Sequence, residues 1–314
     1  MTEALYVLWI VSAACIVFCT KAYRVIIYFG VFSLTTSVIY LTMGAPDVAM
    51  SEAGISAFAT IFFIVCIEKY YSRGDGLKRE AVRDSFGRGS ILRLIPPLIF
   101  TLALGGLFVY FVPTGYAITE LRDQYLGMFM ADVGGENAVT AIYLGYRVYD
   151  TLFEALLLVV AVVAVTHVSW FSPDKLPERR ASETANSSMA KFTMGIVCPI
   201  ILLFGAYLVI NGHFSPGGGF LGGLAFASFF ICRYLVRDIY DLPIQKVMKM
   251  EELVFINITI LPILAVFTGL IYAFADVTPP FQEVYLTAMN ALIGMKVACG
   301  FFMLFYRYIA VERL

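Results

Sequence analysis

Six ionisable residues interrupt or border the apolar stretches of this sequence: Asp47, Glu52, Asp150, Glu154, His167 and Lys296. A charge held in hydrocarbon costs several kcal/mol unless it is paired or hydrated, so each is a candidate for function before it is a candidate for structure. The chemistry such groups can do is charge movement. Carboxylates take up protons or coordinate a hard cation such as Na+, and a buried lysine changes its protonation state when a nearby charge moves.

Position separates the six. Asp47 follows Pro46 in "GAPDVAMSEAG", where a proline and an acid both favour a helix start. Glu52 lies five residues further in, about 7 Å deeper along a helix, among the small residues Ser51, Gly54 and Ser56, which allow close helix contact or water. In "YRVYDTLFEALLLVVAVVAVTHVSW", Asp150 and Glu154 share a helix face. Asp150 reads as interfacial and Glu154 as a point on a proton or cation path. His167, near the other end of that run, is either an interfacial hydrogen-bonding group or a relay. Lys296, in "MNALIGMKVACGFF", is central in its apolar run and too deep to reach either surface. It is expected either to relay charge or to form a static pair with Glu52 or Glu154.

A different kind of interruption is "NGHFSPGGGF", Asn211 to Phe220. Ser215 can cap and Pro216 can begin a helix, which makes this a tight hairpin. Gly218 with Gly222, and Gly219 with Gly223, form two offset pairs of small residues that let another backbone approach. Gly217 belongs to the same run. A backbone ion site at the helix N-terminus is the alternative use of these glycines. His213 could cap polar groups of a neighbour or titrate at the mouth of a path.

The elements that must hold these groups are membrane helices. Of the 314 residues, 60% are hydrophobic and 14% charged, with a mean hydropathy of +0.83; a soluble domain carries about 25% charged residues. Nine runs reach the roughly 20 residues that a hydrocarbon core requires: 4–20, 25–43, 47–70, 93–113, 149–170, 192–211, 217–235, 253–273 and 286–306. The chain is therefore expected to be an all-α, polytopic membrane bundle. The opening "MTEALYVLWI" lacks the basic start and cleavage site of a signal peptide, so its apolar run is expected to stay as a span.

Nine spans also sort the basic residues. Of the 22 lysines and arginines, only Arg122 and Arg147 fall on one side and only Lys296 in the interior of a span. The positive-inside rule then puts the N-terminus outside and the C-terminus in the cytoplasm. The longest external loop, about 114–148, contains "TELRDQYLGMF", a candidate for an amphipathic helix on the membrane surface. The basic loop "SRGDGLKREAVRDSFGRGS" reads as the topology signal ahead of lipid or partner recognition. Nothing in the composition suggests nucleic acid as a partner; the lipid bilayer is one by necessity.

Cys15, Cys19, Cys66, Cys198, Cys232 and Cys299 all lie in apolar runs without C-x-x-C spacing, and the two histidines are far apart. No metal site, haem or iron–sulfur cluster is expected in this chain, and no resident cofactor, with Na+ a possible transported ion.

Three motifs carry a family resemblance. "GAPDVAMSEAGISAFATIFFIV" resembles the carboxy-terminal part of the Mrp antiporter's A subunit and the D subunit of the archaeal membrane-bound hydrogenase. "GENAVTAIYLGYRVYDTLFEALLLVVAVVAV" is similar to the hydrogenase's E subunit, matching at Asn137, Thr140, Tyr146, Arg147, Asp150, Thr151 and Glu154. "NGHFSPGGGFLGGLAFA" resembles the Mrp B subunit and its hydrogenase counterpart, the F subunit, at Gly212, His213, Pro216, Gly217, Gly218, Gly219, Phe220, Gly222 and Gly223. The resemblance implies three joined regions: 1–90 with three helices, 91–185 with two, and 186–314 with four. It further implies a fused subunit of an Mrp-type Na+/H+ antiporter module, free-standing or within a respiratory complex of the membrane-bound hydrogenase or sulfane reductase type. Its partners would be large antiporter-like membrane subunits and, in a respiratory complex, a peripheral redox arm with iron–sulfur clusters. It would sit in a prokaryotic cell membrane and would not be an enzyme on its own. A purely structural subunit, sealing the complex and positioning its neighbours, is the competing reading.

Overall fold

A computed structural model describes residues 2–19, 21–72, 98–107, 110, 118–168, 188–236, 244–267 and 279–310. The apolar runs fold as helices: α1 (Thr2–Phe18), α2 (Ala22–Thr42) and α3 (Pro46–Ser72), α4 (Leu98–Leu107), then α5 (Ile118–Val133), α6 (Ala138–Ala141), a π-helical turn (Ile142–Tyr146), α7 (Val148–Val168), α8 (Ser188–Ile210), α9 (Gly219–Val236), α10 (Ile244–Phe267) and α11 (Pro279–Ala310). In hydrocarbon only a helix or a closed barrel satisfies its own backbone, which is why uninterrupted apolar runs fold this way.

Six helices are long and apolar enough to cross a membrane: Ala22–Thr42, Pro46–Ile67, Val148–His167, Ser188–Ile210, Ile244–Phe267 and Phe281–Tyr308. The other three of the nine expected runs correspond to shorter apolar helices, Glu3–Phe18, Leu98–Leu107 and Gly219–Arg233. The eighth run begins earlier than expected, at Ile244, because "IQKVMKMEE" continues the helix and brings Glu251 into it.

α11 is the centre of the bundle. Its apolar window is 67% buried against the rest of the chain, while no other long helix exceeds 28%. α9, α10 and α7 all pack on it, and α8 and α3 flank α9. One core forms where Leu144 and Val148 meet Ile258, Leu286 and Met289. A second, of Phe58, Leu224, Ile231, Phe302 and Phe305, joins α3 to α9 and α11.

The expected external loop departs most from its sequence reading. Its amphipathic stretch is indeed helix α5, but the following residues turn inward: Thr140, Ala141 and Leu144 are 0% exposed. The Asn137 side chain caps α6 by accepting from the backbone N–H groups of Val139 and Thr140. A π-turn follows, and within it the Tyr143 carbonyl accepts from the Thr151 hydroxyl at 2.6 Å. The basic loop at 73–90 lies outside the described residues.

Candidate functional site

The hairpin of the third motif is tied to the other two regions by side chains. Asn137 is the knot: its Nδ2 donates to Asp47 Oδ1 at 3.0 Å and to the Ser215 carbonyl at 3.1 Å. Its backbone N–H donates to the His213 carbonyl at 2.9 Å, and the Thr140 hydroxyl donates to the Gly212 carbonyl at 2.5 Å. Asp47 therefore does more than start a helix; its carboxylate accepts from a residue 90 positions away.

The seventh apolar helix starts later than the motif suggests. Ser215 does not cap it, since its hydroxyl donates back to the Asn211 carbonyl at 3.2 Å, and Pro216 precedes rather than begins it. The helix begins at Gly219, whose N–H is accepted by Asn290 Oδ1 from α11 at 3.0 Å. The same oxygen accepts from the Tyr143 hydroxyl at 3.0 Å. Burial pushes that phenol up to about 12, its bonds to Thr140 and Asn290 only partly opposing this, so it stays protonated and donates.

The glycines serve close approach. A Cβ on Gly218, which has φ +107°, would lie 2.3 Å from the Tyr143 hydroxyl. Gly219 and Gly223 face the backbone of α11 at Asn290 and Gly294, whereas Gly222 faces Gly205 and Val209 of α8. The Gly219/Gly223 pair thus meets one helix, while Gly218 and Gly222 meet different elements. Gly217 follows suit, lying against Leu208 at the end of α8. His213 is buried at 4% exposure and its ring lies 4.0 Å from that of Phe214. Burial holds its imidazole below the usual value, opposed in part by Glu283, the Ile210 backbone and Glu136.

The other candidates sit on different faces. Glu52 accepts from the Ser33 hydroxyl across the α2–α3 interface. Asp150 pairs with Arg147 at 2.5 Å, both half-exposed. Glu154 lies on the outer surface of α7 beside Phe153 and Leu157, which are 68% and 70% exposed. His167 is exposed in the last turn of that helix.

Lys296 is the most enclosed ionisable group among the described residues, 1% exposed. Its partner is neither Glu52 nor Glu154 but Glu251 of α10, with the Phe255 ring 5.4 Å from Nζ. The sequence reading missed Glu251 because it placed the helix start two residues beyond it. The i,i+4 spacing of Glu251 and Phe255 within a helical run was the available signal. Lys296 and Glu154 share a depth all the same. Tyr143 meets Asn290, and Leu158 meets Gly300, so α7 and α11 run the same way. One turn before that second contact on each helix stand Glu154 and Lys296.

Residues 189–312 match the family model described as a domain related to the MnhB subunit of Na+/H+ antiporter, and residues 7–71 match that of the D subunit of MBH, MbhD. The chain is a fused membrane subunit of the Mrp antiporter type. It is similar to a relative in Rhizobium meliloti (strain 1021) named as the A/B subunit of a "Probable K(+)/H(+) antiporter", 24% identical over 261 residues. That match covers 74% of this chain but 26% of the relative, so the fused subunit spans only part of the relative's length. In fold it resembles a chain of the Mrp complex from Dietzia sp. DQ12-45-1b, with a TM-score of 0.74 at 19% identity, covering 99% of this chain and 35% of that one. A chain of the membrane-bound sulfane sulfur reductase, an archaeal respiratory membrane complex, matches with a TM-score of 0.57 at 27% identity, over 70% of this chain and 98% of that one. The curated relatives are named as antiporter subunits.

Proposed function

We propose that the fused subunit takes part in translocating H+ or Na+ within a multisubunit membrane complex, alongside larger antiporter-like subunits. The observation that carries this reading is the layer of ionisable groups inside apolar helices: the buried Lys296–Glu251 pair, with Glu154 level with it on the neighbouring helix. Glu52 belongs to the same set, six residues below the start of α3. A fully enclosed charge pair seldom adds stability over a well-packed apolar pair, which favours a role in moving charge. Asp47 and Asp150, both engaged at helix starts, and His167, exposed at a helix end, are secondary positions in this reading.

In the same reading the chain crosses a prokaryotic cell membrane nine times, N-terminus outside and C-terminus cytoplasmic. Regions 1–90, 91–185 and 186–314 are its three fused units. It has no resident cofactor and catalyses nothing alone. The respiratory-complex setting, with a peripheral redox arm bearing iron–sulfur clusters, rests on likeness to subunits of such assemblies.

The structural reading has its own support in the Asn137 knot, which binds all three regions together at one end. Ion flux through proteoliposomes holding the intact complex separates the two. Glu154→Gln is expected to slow flux on the order of tenfold or more, the scale of losing a charge-stabilising group, at unchanged complex yield. Wild-type flux in that variant would favour the structural role.

A further inference from the structure

The α2–α3 interface holds a file of side-chain oxygens that runs inward from Glu52. At its outer end the Ser37 hydroxyl donates to the Ala49 carbonyl at 2.5 Å. Next, Ser33, 3% exposed, donates to Glu52. One turn further along α3 comes Ser56, also 3% exposed, and a turn beyond it Thr60. The Thr60 Oγ1 atom is buried with no hydrogen-bond partner. It points at α2 where Gly30 has no side chain: a Cβ there would lie 3.1 Å from it. Glu52, Ser56 and Thr60 are thus one stripe at i,i+4 spacing, facing Gly30 and Ser33 of α2.

A hydroxyl left without a partner in an apolar interface is costly, and such groups ordinarily find a protein atom or a water. Steps of four residues are about 6 Å apart along a helix, the distance that one bridging water spans. Hydroxyls and water both donate and accept, as a proton relay requires. Na+ would instead need several oxygens converging on one point, and these are strung out in a line.

We infer that Glu52, Ser33, Ser56 and Thr60 form a hydrated proton wire between α2 and α3, with Glu52 as its titratable head and Thr60 as its inner hydroxyl. The inference rests on the translocation reading above and assigns it the ion and further residues. The wire enters from the end of the bundle where Asp47 and Asn137 meet and extends two turns beyond Glu52.

The test is proton flux, followed with a dye entrapped in proteoliposomes of the intact complex. Thr60→Val keeps the side-chain shape and removes the hydroxyl. It is expected to lower proton flux on the order of tenfold at unchanged complex yield, and Thr60→Ser to restore it. Ser56→Ala is an independent second variant with the same expected loss, and it decides the matter if Thr60→Val fails to assemble. Wild-type proton flux in the assembled hydroxyl variants, with Glu52→Gln slow, would overturn the wire while leaving Glu52 in the path. Wild-type flux in Glu52→Gln as well would remove both.

Discussion

Lys296 can be identified as exceptional from its place in the sequence, but its partner cannot. A buried ammonium needs a counter-charge, and the acids in neighbouring apolar runs, Glu52 and Glu154, were the natural candidates. The choice of Glu251 depends on which helix packs against which, and α10 rather than α3 lies beside Lys296. Removing one member of a buried pair strands the other, at a cost of about 3 to 5 kcal/mol. Glu251→Gln should therefore destabilise the detergent-solubilised subunit by roughly that amount in thermal unfolding. The double variant Glu251→Leu with Lys296→Met should recover most of the loss, since an apolar pair of similar size needs no compensation. A double variant as unstable as the single would show that the pair is not what holds α10 to α11. The same logic explains Asn137, which the sequence marks as a motif residue without showing what it binds. Its value comes from five polar groups meeting one side-chain amide, the Asp47 carboxylate, the Gly212 and Ser215 carbonyls and the Val139 and Thr140 N–H groups, and that convergence exists only in the fold.

At the scale of elements, periodicity and apolar length were readable because a membrane helix is specified by its own residues, with little help from neighbours. Helix starts were less readable where tertiary contacts supply the cap. α9 begins three residues after the proline because Asn290, on another helix, caps Gly219; local rules point to Ser215 and Pro216. The glycine spacing was informative, yet only the structure shows which pair meets one helix. Gly223→Ala would bring a methyl within 2.4 Å of the Gly294 carbonyl and 2.7 Å of Val297, forcing α9 away from α11. The expected loss is about 1 to 3 kcal/mol, measurable as a lowered unfolding midpoint. Gly105→Ala, with nothing within 4 Å of its added Cβ, is the control and should be neutral or stabilising by up to about 1 kcal/mol. Equal loss in both variants would argue against close packing as the reason for Gly223.

For the molecule as a whole, the basic residues and the packing agree on which helix ends lie together. Contacts among Asp47, Asn137, the hairpin and Asn290 bring the starts of α3, α7 and α9 and the end of α8 to one end of the bundle. Lys21, Lys191, Arg233, Lys246, Lys249 and Arg307 mark the other end, at the starts of α2, α8 and α10 and the ends of α9 and α11. Alternation between two ends is what repeated crossing requires, and the basic end is expected to face the cytoplasm. The helices the chain forms are not all as long as its apolar runs. The apolar parts of α1 and α9, Glu3–Phe18 and Gly219–Arg233, extend for 16 and 15 residues, about 24 and 22 Å, less than a 30 Å core. If they cross, as the nine-span reading requires, they need local thinning of the bilayer or cover from neighbouring helices. Fusing a reporter to the C-terminus and another within 73–93 tests the arrangement directly. Both should read cytoplasmic in the nine-crossing arrangement proposed above, in which an odd number of crossings separates each site from an external N-terminus. A cytoplasmic reading at 73–93 with an external C-terminus would mean that one of the later helices does not cross, and the short α9 would then be the first to re-examine.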